Sequence, residues 1–252
     1  MERRTLPGRL TWQLGEVVTT RVETARTKSI TFTVPNWMGH RAGQHVDVRL
    51  TAEDGYQAER SYSIASPPEE APRVTLTVER IDDGEVSPYL TEELRSGDKL
   101  ELRGPIGGYF VWEAQMGGPL LLVAGGSGIV PLMAMLRHRA AAGSTVPTRL
   151  LYSSRSYADI IYRDELDRLL KSSPMLEVMH TLTRAQPPGW TGYQRRIDTA
   201  MLRDVAWPSE QYPMMYICGP TPFVETAAAS LVELGHEPAH IKTERFGPTG
   251  ER

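Results

Sequence analysis

Apolar and polar residues alternate along the first half of the chain, at Ile30, Phe32 and Val34, at Val46, Val48 and Leu50, at Val74, Leu76 and Val78, and at Leu100 and Leu102. A period of two marks strands with one face buried and the other wet. Turn formers separate these runs at Pro35-Asn36, Asp54-Gly55, Pro67-Pro68, Asp82-Asp83-Gly84 and Ser96-Gly97-Asp98, as in an antiparallel sheet or a small barrel. Residues 1–116 are thus predicted to form an antiparallel β domain.

From Gly117 onward the strands read as unbroken apolar runs, Leu120–Ala124, Leu150–Tyr152, Leu176–Met179 and Met214–Cys218. Such runs suit a parallel sheet covered on both faces. Helices are predicted between them: Pro131–Ala142 stopped by Gly143, Arg163–Leu170, and a third opened by Thr221, with Pro222 at its first position, and closed by Gly235. This β-α alternation predicts a Rossmann-like α/β domain over residues 117–252, with Met116-Gly117-Gly118-Pro119 as the junction.

A length of 252 residues suits two domains. The 40% hydrophobic and 23% charged composition suits packed cores rather than a fibre or a disordered chain. A net charge of -3, from 28 basic and 31 acidic residues, offers no global field for nucleic acid or an anionic membrane. The lone Cys218 excludes an internal disulfide, a structural zinc site and an iron–sulfur cluster held by this chain alone. With no apolar leader or spanning run, the expected setting is the cytoplasm. The six histidines show no metal-ligand spacing, and no metal is expected.

Two segments carry chemistry. Between Leu121 and Pro131 a buried strand passes through Gly125-Gly126-Ser127-Gly128 into a helix. Glycines admit close backbone approach and a helix N-terminus presents free amides, which suits a phosphate; mere turn chemistry is the alternative. The spacing is neither GxGxxG nor GxxxxGK[ST], which disfavours a Walker-type ATPase. In Arg60-Ser61-Tyr62-Ser63 a guanidinium, a ring and hydroxyls fall together. A phosphorylated aromatic cofactor needs those groups, and an ordinary wet strand face also carries them.

These two segments, with Gly84-Glu85-Val86-Ser87, Tyr152-Ser153-Ser154-Arg155, Cys218-Gly219-Pro220 and Glu244-Arg245-Phe246, follow an order that resembles the ferredoxin–NADP reductase superfamily. Within it, the chain resembles compact bacterial FAD reductases that serve oxygenases or ferredoxins and lack a fused iron–sulfur domain. The resemblance implies two domains, an N-terminal antiparallel flavin-binding β-barrel and a C-terminal Rossmann-like parallel-sheet domain, with the reaction in their cleft. It implies that Arg60 meets the FAD pyrophosphate, flanked by Ser61, that Tyr62 lies against the isoalloxazine, and that Ser63 sits beside its reactive nitrogen. Val78 and Glu79 would line the flavin through their backbone, and the amides of Gly84, Val86 and Ser87 would form an anion nest.

For the nicotinamide dinucleotide, the resemblance implies pyrophosphate contact at Gly126, Ser127 and Gly128. Cys218, with Gly219 and Pro220, would lie near the transferred hydride. Ser154, Arg155 and Arg163 would receive the 2′-phosphate of NADPH, with NADH possible. Glu244 would orient nicotinamide or relay a proton, and Phe246 would cover the flavin ring; Ser63, Cys218 and Glu244 are the implied catalytic set. The chain departs from relatives at Val130, where a hydroxyl residue is common, and in running on through Gly247–Arg252. The implied activity passes a hydride from NADPH to FAD and then single electrons to a separate acceptor protein, a ferredoxin or an oxygenase component. A reductase of free flavin, and an FAD-binding electron-transfer subunit without turnover, remain the alternatives. A monomer that engages neither nucleic acid nor membrane is expected.

Overall fold

The computed structural model describes residues 10–173 and 175–247; the expected continuation over 248–252 lies outside them. Six strands form the first unit: β1 (Trp12–Thr24), β2 (Thr27–Thr33), β3 (His45–Thr51), β4 (Gln57–Ser63), β5 (Arg73–Glu79) and β6 (Lys99–Ile106). They pair antiparallel in the order β4-β3-β6-β1-β2-β5. The two end strands meet through an Ile64–Leu76 bridge, where the Ala65 amide donates to the Thr75 carbonyl at 2.7 Å, so the sheet closes into the expected barrel. The alternating residues Ile30, Phe32, Val46, Val48, Val74, Leu76, Val78 and Leu102 fill its interior, each worth about 1.5–3 kcal/mol when fully buried. Strand β1 has no apolar alternation to announce it, because only Gly15 and Val17 of its residues face inward.

The second unit holds β7 (Leu120–Gly125), β8 (Thr148–Ser156), β9 (Leu176–Ala185), β10 (Met214–Pro220) and β11 (Ile241–Phe246), all parallel, in the order β11-β10-β7-β8-β9. Helices α1 (Ile129–Ala141) and α2 (Arg163–Ser172) cover one face, and α3 (Thr199–Val205) and α4 (Thr221–Glu233) the other. Helix α1 starts two residues before the expected Pro131. The preceding turn, Gly126–Gly128, is already helical, and a proline in the first turn forfeits no helical hydrogen bond. Helix α3 went unforeseen; it is short and rests on a cap, Asp198 Oδ1 accepting from the Met201 amide at 2.7 Å. Strands β8 and β9 outrun the apolar runs that predict them, extending through residues 153–156 and 180–185.

From β7 the chain builds β8 and β9 on one side, then returns to lay β10 and β11 on the other. The carboxyl ends of β7 and β10 therefore flank the point where the connections diverge, the place where open α/β sheets hold ligands. No described helix is long and apolar enough to cross a membrane. Among the described residues no cluster of His, Cys, Asp and Glu is arranged to hold a metal.

Candidate active-site cleft

Glycine makes the crevice between β7 and β10 possible. A Cβ on Gly128 would lie 2.1 Å from the Cys218 carbonyl oxygen, and one on Gly219 would meet the Phe223 ring at 2.8 Å and the Gly125 Cα at 3.3 Å. The two strand ends thus touch backbone to backbone. Gly126 differs: its φ of +56° is left-handed, yet nothing lies within 4 Å of its Cβ position, so open space stands above the turn. That open, amide-lined turn at the start of α1 fits a dinucleotide pyrophosphate. Thr221, at the first position of α4, adds a buried hydroxyl without a partner among the described residues. In the sequence Thr221 reads as a helix opener, and its place directly after Cys218-Gly219-Pro220 is the signal that ties it to the crevice.

On the side of β10 away from β7, Cys218 pairs in register with Glu244 on β11. Burial pushes the Cys218 thiol well up, and the neighbouring Glu244 adds to the rise. Burial also lifts Glu244 to about 7. Its Oε2 is buried without a partner among the described residues, and its Oε1 lies 4.0 Å from His45 Nδ1 on the barrel. His45 is in turn the cross-strand partner of Ser63, so the two side chains share a face of the β3–β4 pair. Ser63, His45, Glu244 and Cys218 thereby form a chain of neighbours from barrel to parallel sheet. In the sequence His45 is one of six histidines without metal-ligand spacing, and only the fold brings it to β11.

Glu244→Gln is expected to remove a pH-dependent penalty. The folded carboxyl titrates near 7 rather than near its ordinary 4.5, so the folded state holds its proton more tightly, and stability is lost as pH rises from 4.5 through 7. Wild type should match the variant at pH 4.5 and fall behind it by about 2 kcal/mol above pH 7, allowing for partial solvent contact. Urea unfolding of both proteins across that range checks this; a pH-independent difference would refute it.

The other predicted flavin residues surround β4. Arg60 and Tyr62 share one face of this strand, Ser61 and Ser63 the other. Burial raises the Tyr62 hydroxyl to about 12, the Arg60 charge opposing it. Arg60 is exposed and reaches Glu85 at 3.3 Å, which brings β4 to the Gly84–Ser87 turn. In that turn one of the three amides expected to form an anion nest is already engaged. The Gly84 amide already donates to the Ile81 carbonyl at 2.9 Å, closing the tight turn after β5, which leaves the amides of Val86 and Ser87 without partners among the described residues. Ser87 Oγ is likewise taken, accepting from the Ile81 amide. Ser61 donates to Asp47 at 2.7 Å. The Val78 side chain fills the barrel core, so only its backbone and the half-buried Glu79 face outward at the end of β5, beside the glycine turn.

The expected trio at and after the end of β8 divides by burial: Arg155 is exposed, whereas Ser154 is 4% exposed and its hydroxyl is buried without a hydrogen-bond partner among the described residues. Arg163 lies over the Tyr157 ring at 4.7 Å and touches Asp164 at 3.4 Å. Pro220 pairs in register with Phe246, and Phe246 is at the exposed margin of β11.

Residues 15–111 match the oxidoreductase FAD-binding domain family and residues 122–229 the oxidoreductase NAD-binding domain family. The chain is 36% identical over 209 residues to ferredoxin–NADP reductase B of Sorangium cellulosum, covering 81% of this chain and 84% of that protein. It is 31% identical over 211 residues to the glycine betaine monooxygenase reductase subunit of Chromohalobacter salexigens, but spans only 56% of that relative's length. Among solved structures, Amycolatopsis cytochrome P450 reductase GcoB superimposes with a TM-score of 0.82 at 25% identity, covering 95% of this chain and 71% of that one. A ferredoxin NADP+ reductase from Neisseria gonorrhoeae with bound FAD and NADP shares the fold with a TM-score of 0.79 at 21% identity, covering 93% of this chain and 98% of that one. With both domain families matched in order and the Sorangium relative covered over most of its length, the chain belongs to the ferredoxin–NADP reductase superfamily of FAD- and NAD(P)-binding oxidoreductases.

Proposed function

We propose that the chain is an FAD-dependent NAD(P)H oxidoreductase that takes its hydride from NADPH and delivers single electrons to a separate acceptor protein, a ferredoxin or an oxygenase component. The observation that carries this is the meeting of Ser63 and His45 of the barrel with Glu244 and Cys218 of the parallel sheet beside one open glycine turn. Bound FAD supplies the conversion from a two-electron donor to one-electron delivery, which nicotinamide does poorly. In this reading the domains divide at 116/117, Arg60 and the amides of Val86 and Ser87 hold flavin phosphates, and Tyr62 packs against the ring. Ser63 donates a hydrogen bond to the ring nitrogen, the Gly126–Gly128 turn holds the dinucleotide pyrophosphate, and Cys218 keeps water from the nicotinamide face. Glu244 holds a proton at the buried end of the cleft.

Relatives described as oxygenase reductase components, among them the glycine betaine monooxygenase subunit and the ferredoxin reductase component of a Rhodococcus rhodochrous 3-ketosteroid-9-alpha-monooxygenase, support an oxygenase-side acceptor. We read the protein as a cytoplasmic monomer.

The test is an anaerobic titration of the purified flavoprotein with NADPH and then NADH, followed by visible absorption. Stoichiometric bleaching supports the reading, and a bound flavin that neither nucleotide reduces rejects it. Nucleotide choice is assigned to the exposed Arg155. Arg155→Ala should raise KM for NADPH about 10- to 100-fold, the worth of a charge-assisted hydrogen bond, and leave NADH within about twofold. Equal losses with both nucleotides would remove the 2′-phosphate role.

A further inference from the structure

Glu244 and His45 come from different domains and meet over the cleft with Oε1 and Nδ1 4.0 Å apart. That is too long for a hydrogen bond and short enough for one side-chain rotation to close. Resting on the reading of Glu244 as a residue of the reaction cleft, we propose that His45 is its positioning residue: the imidazole fixes the carboxyl across the domain boundary and shares one proton with it.

The surroundings leave each group little else to engage. Lys242, on the same face of β11, lies over the rings of Tyr109 and Tyr216 at 5.9 and 5.4 Å. On β10 the neighbour of Glu244 is the buried Cys218 thiol, and Glu244 Oε2 has no partner among the described residues. Around His45, Asp47 on the same strand is held by the Ser61 hydroxyl at 2.7 Å and by Arg103 at 2.8 Å. Arg41, from the preceding loop, reaches Glu113 at 3.8 Å. On β4 the residue opposite is the uncharged Ser63, and on β6 it is Ile106. The turn after β6 leaves the ring edge uncovered: Gly107 has a φ of +99°, and a Cβ there would sit 3.6 Å from His45 Nδ1.

Burial drives the pair toward overlap, lifting Glu244 to about 7 and holding His45 below its ordinary value against the pull of Asp47. Near neutrality the pair carries one proton, either on Oε1 facing a neutral Nδ1 or on Nδ1 facing a carboxylate. Moving it between the two atoms makes and breaks one bond to hydrogen and leaves the total charge unchanged. Such groups titrate as a unit rather than singly.

An NMR titration of the His45 ring in the oxidised flavoprotein without nucleotide tests this, comparing wild type with Glu244→Gln, an isosteric change. Wild type should show two steps, the upper one near neutrality; the variant should show a single step about one pH unit lower. Identical curves overturn the proposal. A second arm compares His45→Phe, which keeps ring bulk, with His45→Gln, which keeps a group able to bond the carboxyl. The near-neutral limb of the kcat profile should move in the Phe variant, and the Gln variant should recover kcat to within about threefold at unchanged KM. A Phe profile equal to wild type overturns the proposal. Should no nucleotide bleach the flavin, the functional reading falls by itself and the NMR comparison still decides the pairing.

Discussion

Gly128→Ala is expected to lower stability by about 1–3 kcal/mol and to slow reduction by NADPH roughly a hundredfold. The added methyl group would lie 2.1 Å from the Cys218 carbonyl oxygen, 2.4 Å from its carbon and 2.8 Å from the Gly219 nitrogen. All three are backbone atoms of a central strand, so the clash cannot be relieved by swinging a side chain aside. Either β10 or the start of α1 must move, and both border the dinucleotide crevice. A shift of even 1 Å there separates donor from acceptor, and rates of such positioned reactions fall about a hundredfold for that displacement. Gly126→Ala is the comparison. It carries backbone strain of order 1–3 kcal/mol from its left-handed φ but pushes on nothing within 4 Å. Thermal unfolding and stopped-flow flavin bleaching separate the two. If Gly128→Ala reduces as fast as Gly126→Ala, backbone contact between the Gly126–Gly128 turn and β10 is not what shapes the site.

That contact also marks the limit of what sequence reasoning reaches. The barrel and the parallel sheet were legible because burial imposes two different periods. Every other residue is apolar where one face is wet, as in Ile30, Phe32 and Val34, and the run is unbroken where both faces are covered, as in Leu120–Ala124. Strand β1 escaped because its partners, not its own side chains, justify it: it lies between β2 and β6 while exposing Leu14, Val18 and Val22. The glycine turn and Cys218-Gly219-Pro220 were legible as separate motifs, whereas their mutual packing was not. His45 was invisible for the same reason. Nothing local to Gly43-Gln44-His45-Val46 points to β11, about two hundred residues later, and only closure of the barrel against the second sheet makes the pair. The Gly84 amide leaves the expected nest for a local cause: sequence shows which glycine sits in a turn, but not which amide the turn consumes.

Arg137→Ala is expected to lower stability at pH 7 by about 2–4 kcal/mol, or about 5–10 °C in Tm. Arg137 of α1 ties the two domains. It bonds both carboxylate oxygens of Glu165 at 2.8 and 2.7 Å, donates to the Ala65 carbonyl of the barrel at 2.7 Å, and lies over the Tyr162 ring at 4.8 Å. Tyr162, held at a left-handed φ of 60°, sends its hydroxyl to Thr77 on β5 at 2.5 Å. Removing the guanidinium strands a mostly buried carboxylate, frees a barrel carbonyl and withdraws the cation packed on that strained tyrosine. The loss carries a pH signature. Burial pushes the Glu165 carboxyl up, but the Arg137 hydrogen bonds and charge outweigh it and hold the group below its ordinary 4.5. Its contribution is therefore present above pH 4.5 and disappears as pH falls through the depressed value. The gap between wild type and Arg137→Ala should accordingly be widest near neutrality and narrow in acid. Arg137→Lys, which keeps the charge but cannot bond two oxygens and a carbonyl in one plane, should fall between them. Melting curves of the three proteins from pH 7 to pH 4 decide it: a gap that does not change with pH would mean that packing, not the Arg137–Glu165 pair, holds the domains in register.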